Sequence, residues 1–534
     1  MPDIILHNAR IATQDAAQPH ASAVAIRAGR FLAVGGKEIL ALSHPETRLL
    51  NLEGALVLPG LTDSHFHLRT WALGLKRLDL SDSASLEELC AKLVERTRHT
   101  PPGEWIVGHG WNETRWPAPA MPDRAALDAA APHHPVLLWR NDLHLAVANS
   151  RALRLGGIDA NTANPPQGVI DRQADGFATG ILREEACGLV TSVIPASGEQ
   201  QTLEAVRGAL PALHRLGLTG VHELWSEHRS GALSPLRIYQ RLQEDGSLSL
   251  RLWACFPLGL LGQAIEMGLR TGFGGGSLWV GHVKMFADGS QGARTAWMLE
   301  PYEDTGTCGM PRTPMQELAR AIERAHQAGI AAAVHAIGDR AIRELVTAYE
   351  DILGKMHGGP APAAPHRIEH VQNIRPPDVR RLAKLGVTAC VQPIHIVDDI
   401  PMIEQSVGER GRFAYPFRDL QDAGVLLAFG SDCPVADPNP FWGIHAAVTR
   451  QRRDGTPQGG WYAEQRLTVQ EAVWAYTMGP ALASGLQNRL GSITPGKQAD
   501  LIALDRNIYE IEPALIAETR VLLCMVDGQI VHRA

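Results

Sequence analysis

Two histidines one residue apart, His65 and His67, stand at the end of an apolar run that begins at Ala55 and passes through Pro59, Gly60 and Asp63. In an extended strand alternate side chains share a face, so both imidazoles point the same way and can grip one metal ion while Phe66 faces the packing behind them. Hydrolytic metal chemistry is the first reading, and it gains force only if further ligands arrive at the ends of later strands.

They do arrive. Later apolar runs end in Val283 to Ser290, which contains Lys284 and Asp288, in Ala333 to Asp339 with His335, in Arg367-Ile368-Glu369-His370, and in Leu426 to Pro434 with Asp432. Each closes a buried run with a metal-competent or titratable side chain.

Taken together, Gly60-Leu61-Thr62-Asp63-Ser64-His65-Phe66-His67, the segment Arg140-Asn141-Asp142-Leu143-His144 with Asn149-Ser150, the block from Lys284 to Ser290 and Gly430-Ser431-Asp432 resemble the metal-dependent amidohydrolase superfamily. Within it, the chain is similar to the amidohydrolase-3 branch, which includes N-substituted formamide deformylase-like proteins. This resemblance covers nearly the whole chain and implies that His65, His67, His335, His370 and Asp432 form the metal centre. It leaves Lys284 with two readings: a carbamate that bridges two ions, or an unmodified lysine paired with Asp288 beside a single ion.

The chemistry fits those residue types. Neutral water attacks an amide slowly, and a divalent metal lowers the pKa of bound water towards ~7 while acting as a Lewis acid. Imidazoles suit zinc, and Asp432 can ligate while taking a proton from the attacking water. One or two divalent ions, with zinc favoured, are therefore the expected cofactor. The expected reaction is cleavage of a carbon–nitrogen bond, other than a peptide bond, in a small, partly apolar amide. An ester, lactone or carbamate hydrolase and a non-catalytic regulatory or binding protein are the alternatives. His144 and His222 are candidates to orient substrate, although His144 and Asn149 serve equally well as residues that order their own segment. Glu223, where the resembled family commonly has Asp, is a mild departure. Trp111, with Trp71, Trp116 and Trp139, reads either as an apolar substrate wall or as buried packing.

The elements that must position these groups follow from periodicity. From about Phe273 onward, strand and helix signals alternate: Thr313-Pro314 starts a helix with Leu318, Ile322 and Ala325 on one face, and Asp339 starts another with Ile342, Leu345, Val346, Tyr349 and Ile352. Such alternation argues for parallel strands with crossover helices, and ligands at the strands' C-terminal ends argue for a (β/α)8 barrel. A TIM-like barrel over 56–484 is expected, with a Pro- and Ala-rich insertion at about 112–211 over the barrel mouth. Short strands in 1–55 and 485–534 suit the small β-sandwich built from both termini that the resemblance implies.

At 534 residues the chain exceeds the roughly 250–300 that one core supports, so more than one domain is expected. A formal net charge of -7 without a long basic run makes nucleic acid a poor partner. There is no stretch of ~20 apolar residues to span a bilayer and no signal-peptide pattern at Met1-Pro2-Asp3, so a cytoplasmic protein with no membrane partner is expected. The seven cysteines are scattered and never spaced as Cys-x-x-Cys, which suggests neither a disulfide framework nor a thiolate zinc cluster. The expected partner is a small-molecule substrate, and a homodimer is left open.

Overall fold

The computed structural model describes residues 1–534 except 114–115, 119, 141–144, 166–167, 196, 226–233 and 356–360. The chain divides into two compact units, one formed by Met1–Trp71 with Val206–Ala534 and the other by Ala72–Ala205.

The larger unit contains a barrel of eight strands: β1 (Leu61–Phe66), β2 (Leu218–Leu224), β3 (Arg251–Pro257), β4 (Leu278–Phe286), β5 (Ala332–Ala336), β6 (Arg367–His370), β7 (Thr388–Val391) and β8 (Leu427–Phe429). Every neighbouring pair from β1 to β8 is parallel. A parallel bridge between Phe66 and Cys433 brings the first strand back to the last, so the sheet closes as the (β/α)8 reading requires. The helices between strands use the expected stripes. Met315–Gln327 buries Leu318, Ile322 and Ala325, and Asp339–Lys355 buries Ile342, Leu345, Val346, Tyr349 and Ile352. Each fully buried aliphatic or aromatic side chain contributes roughly 1.5–3 kcal/mol, which outweighs any local propensity.

Both termini build a sandwich in the same unit. One sheet runs Arg30–Gly35, Ala23–Arg27, Ile4–His7, Arg48–Asn51, and the other runs Gln529–Arg533, Val521–Val526, Leu501–Leu504, Leu56–Pro59, Arg10–Ala12, His20–Ala21. Ile4, Leu6, Val24, Ile26 and Phe31 of the first sheet pack on Ile11, Val57, Leu501, Leu523 and Met525 of the second. Thus the apolar run from Ala55 serves two layers: Leu56–Pro59 is a sandwich strand, and the barrel starts only at Leu61. Gly60 makes that change possible, because a Cβ there would lie 2.1 Å from Thr219 Oγ1. At the start of β3, Arg251 grips both oxygens of Asp500 at 2.8 and 2.9 Å and also reaches Asp527, which ties the barrel to the C-terminal strands.

The smaller unit is a six-stranded mixed sheet in the order Gly168–Arg172, Ala178–Glu184, Leu145–Ala148, Val136–Arg140, Ile106–Trp111, Leu78–Asp79. It begins at Ala72, ahead of the expected start near 112. Leu86–Arg98 and Ile106–Trp111 look locally like another strand and helix of the barrel, yet Ile106–Trp111 pairs with Leu78–Asp79 and Val136–Arg140 instead. Among the described residues, no helix is long and apolar enough to cross a membrane.

Candidate metal centre

The C-terminal ends of β1, β6 and β8 meet at one point. Phe66 is buried against Trp71, with ring centroids 5.5 Å apart and nearly perpendicular. His65 and His67 lie on the other side, and their Nε2 atoms stand 3.2 and 3.1 Å from the same oxygen of Asp432. The shared face expected from strand geometry is present.

Asp432 is delivered by a tightly held turn. Beyond β8, the Ser431 N–H and hydroxyl both donate to Asp63, at 3.0 and 2.6 Å, and Asp63 also accepts from the His65 N–H at 3.0 Å. The Asp432 N–H donates to the His65 carbonyl at 2.8 Å, and the His67 N–H donates to the Cys433 carbonyl at 2.9 Å. Gly430 passes so close to β1 that a Cβ would sit 2.6 Å from the His65 nitrogen. Burial pushes the Asp63 pKa up to about 6 against the effect of its hydrogen bonds. The two residues that aim inwards from β6 and the end of β8, His370 (φ 76) and Asp432 (φ 58), both occupy the left-handed region. Such conformations are uncommon outside glycine and collect at functional sites.

His65, His370 and Asp432 offer ligand atoms that all lie within 4.8 Å of one another. The outer nitrogen of each imidazole is already engaged: His65 Nδ1 is 2.6 Å from Glu369 Oε2 and His370 Nδ1 is 2.8 Å from Gln392 Oε1. A carboxylate can only accept, and the amide oxygen likewise, so both rings carry their proton on Nδ1 and turn an Nε2 lone pair inwards. Two lone pairs and a carboxylate oxygen then converge, a set of acceptors that fits a cation. Burial opposes charge on Asp432, but protonated His65 and His67 would outweigh it and hold the carboxyl well below the usual range, a part that a cation takes over when the rings are neutral. Burial, aided by His335 and His65, keeps His370 neutral.

The remaining expected site residues are placed less uniformly. His335 is beside the cluster, with its ring centroid 4.5 Å from that of His370, but its Nε2 lies 3.0 Å from the Gly289 carbonyl and it stays outside the three-residue group. Burial and the Lys284 charge lower its pKa to about 3. Lys284 is buried on β4, and burial lowers its pKa against the pull of Glu369 and Asp432. The alternative pairing of Lys284 with Asp288 does not occur. Asp288 instead accepts backbone N–H groups of Trp297, Ile337 and Gly338 at 2.8 to 3.0 Å, and among the described residues Lys284 has no ion pair.

His222 is buried in the barrel and its Nδ1 accepts from Arg367 at 2.9 Å, which joins its ring to the network behind His65. Trp111 is fully buried in the smaller unit and donates to the Leu138 carbonyl at 3.0 Å; packing, not a substrate wall, is its role. His144 lies outside the described residues. Asn149 orders its own segment: it accepts from the N–H groups of Val136 and Ala152 at 3.0 Å and donates to the His134 carbonyl at 2.8 Å. Asn149→Ala strips a helix cap and leaves buried groups unpaired. It is expected to destabilise the smaller unit by about 2 kcal/mol or more in denaturant unfolding, and an unchanged midpoint would show that these bonds carry no weight.

Periodicity singled out none of the residues that hold the ligands. Glu369, Arg367, Gln392 and Asp63 are all buried. The signal for the first two was available: a basic and an acidic residue two apart on one face of a strand that is otherwise buried and apolar must find partners inside the barrel.

The amidohydrolase family model matches residues 48–532. The chain is 33% identical over 520 residues to Protein LONG AFTER FAR-RED 3 of Arabidopsis thaliana, covering 95% of this chain and 88% of that one. It is 28% identical over 545 residues to the N-substituted formamide deformylase of Arthrobacter pascens, covering 99% and 98%. Among solved structures, an uncharacterized metal-dependent hydrolase from Pyrococcus horikoshii OT3 superposes with a TM-score of 0.79 at 30% identity, covering 96% of this chain and 99% of that one. A match across nearly the whole sequence, joined to a closed barrel with its acceptor cluster at the strand ends, places this chain in the amidohydrolase family.

Proposed function

We propose that the protein is a metal-dependent hydrolase that cleaves a carbon–nitrogen bond, other than a peptide bond, in a small and partly apolar amide such as an N-formyl or N-acyl compound. The convergence of His65, His67 and His370 on Asp432 carries the reading. These four residues would hold a divalent cation, zinc on the strength of the imidazole-rich donor set, which would supply Lewis acidity and lower the pKa of bound water. Asp432 accepts the proton of the attacking water and returns it to the leaving nitrogen. Asp432 is ionised in the resting site, so its carboxylate has an open position for that proton. Glu369 and Gln392 keep the imidazoles of His65 and His370 turned to the reacting centre.

The choice of a carbon–nitrogen bond is supported by the formamide deformylase relative. A panel of N-substituted formamides, other amides, esters, lactones and carbamates, assayed with zinc-reconstituted protein, tests it. Turnover of formamides or amides above esters is the expected result. Ester turnover alone would replace the bond assignment, and full metal content without any turnover would favour a non-catalytic role.

Lys284 is the residue through which a second ion enters this reading. A buried amine without a carboxylate partner gains by losing its proton and adding carbon dioxide, giving a carbamate that pairs with metal charge. Native intact mass should then exceed the sequence mass by one carbon dioxide, and Lys284→Ala should regain part of its activity with short carboxylic acids. An unmodified lysine in active, metal-loaded protein would mean a mononuclear centre.

A further inference from the structure

The inner face of β6 carries Arg367 and Glu369, both at 0% exposure. A buried ion pair is a poor device for stability, since apolar residues of similar volume often do as well or better. What this pair touches suggests another use. Arg367 Nε and Nη2 bind the two oxygens of Glu369 at 2.5 and 2.8 Å, while its other donors reach the Ser64 carbonyl and His222 Nδ1. With its donors engaged in three directions, the guanidinium cannot swing. The same Glu369 oxygen that faces Nη2 lies 2.6 Å from His65 Nδ1.

We propose that Arg367 and Glu369 are a positioning pair for His65. Glu369 holds the imidazole with its Nδ1 against the carboxylate and its Nε2 towards Asp432, and Arg367 grips both Glu369 oxygens so that the carboxylate cannot turn away. Neither residue touches substrate or cation. The inference rests on the reading of His65 as a metal ligand and adds to it the origin of that ligand's orientation. It also accounts for two features that the ligand set leaves unexplained. One is an arginine in the barrel interior, and the other is the placement of His222, whose Nδ1 completes the fixing of Arg367. Carboxylate partners of metal-bound histidines typically set metal affinity by roughly 10- to 100-fold.

Zinc affinity, measured by chelator competition, and melting of the metal-free protein separate positioning from support of the fold. Glu369→Gln keeps size and an acceptor but loses charge, and Arg367→Gln with Glu369→Gln removes the pair without changing net charge. Both are expected to weaken zinc binding roughly 10- to 100-fold, with the metal-free melting temperature of the double variant close to that of the parent. Glu369→Gln added to His65→Ala should weaken binding no further. Wild-type zinc affinity in the double variant, or an equal loss when His65 is already absent, overturns the proposal. If these variants fail to fold, nitrogen-15 histidine spectra of the zinc-loaded wild-type protein decide: His65 must show a protonated Nδ1, and the opposite tautomer overturns it. The underlying reading fails separately, if His65→Ala binds zinc as tightly as the parent.

Discussion

Asp432→Asn is expected to fold, to bind metal and to lose turnover by about 10²–10⁴, the usual worth of general-base assistance. Asparagine is the informative replacement for two reasons. It keeps one oxygen facing His65 and His67, which now share an Asp432 oxygen at 3.2 and 3.1 Å. It also tolerates the left-handed backbone at this position (φ 58), where most side chains are strained, so a loss of activity cannot be laid to a distorted turn. The measurement is turnover per bound metal, with metal content determined on the same sample. Near-normal turnover would move the base to another group and remove the proton path proposed for Asp432. Glu223 is a poor substitute: it is buried and accepts the N–H of Leu68, which holds the chain just after His67. Burial raises its pKa to about 7, which would suit a base, so it is the Leu68 contact that argues against that role.

His65→Ala is expected to lose metal and activity together, with turnover falling at least as far as in Asp432→Asn. His65 sits where four contacts of the centre cross: Nε2 faces Asp432, Nδ1 faces Glu369, its N–H is held by Asp63 and its carbonyl by the Asp432 N–H. Removing the ring deletes one ligand and leaves the Glu369 carboxylate, among the described residues, with Arg367 as its side-chain partner. Metal analysis after dialysis against a weak chelator, beside a steady-state assay, checks the result. His67→Ala should follow the same direction with less disturbance of the fold, because His67 is partly exposed and lies beyond the end of β1. Full metal occupancy in the protein lacking both histidines would remove the basis of the site assignment.

The parts of this protein that are legible in sequence are those encoded within a few residues. The period of two in a strand places His65 and His67 on one face whatever surrounds them, and the period of 3.6 marks the buried stripes of Met315–Gln327 and Asp339–Lys355. Repeated strand and helix signals announce a parallel barrel for the same reason, since a crossover helix is the short way back to a parallel neighbour. What tertiary structure alone decides is which groups meet across the chain. Glu369 reaches His65 over a separation of 304 residues, and Asp63 reaches Ser431 over 368. Neither separation has a periodic trace. Pairing also decides that Ile106–Trp111 joins a separate sheet, with the Trp111 ring sealed inside it, because a strand's own residues specify its faces but not its neighbours. The ligand types were therefore readable one strand at a time. Their convergence within 4.8 Å exists only once β1 has closed on β8, and the Nδ1 partners of His65 and His370 and the backbone groups that hold Asp288 are likewise met only through tertiary contacts.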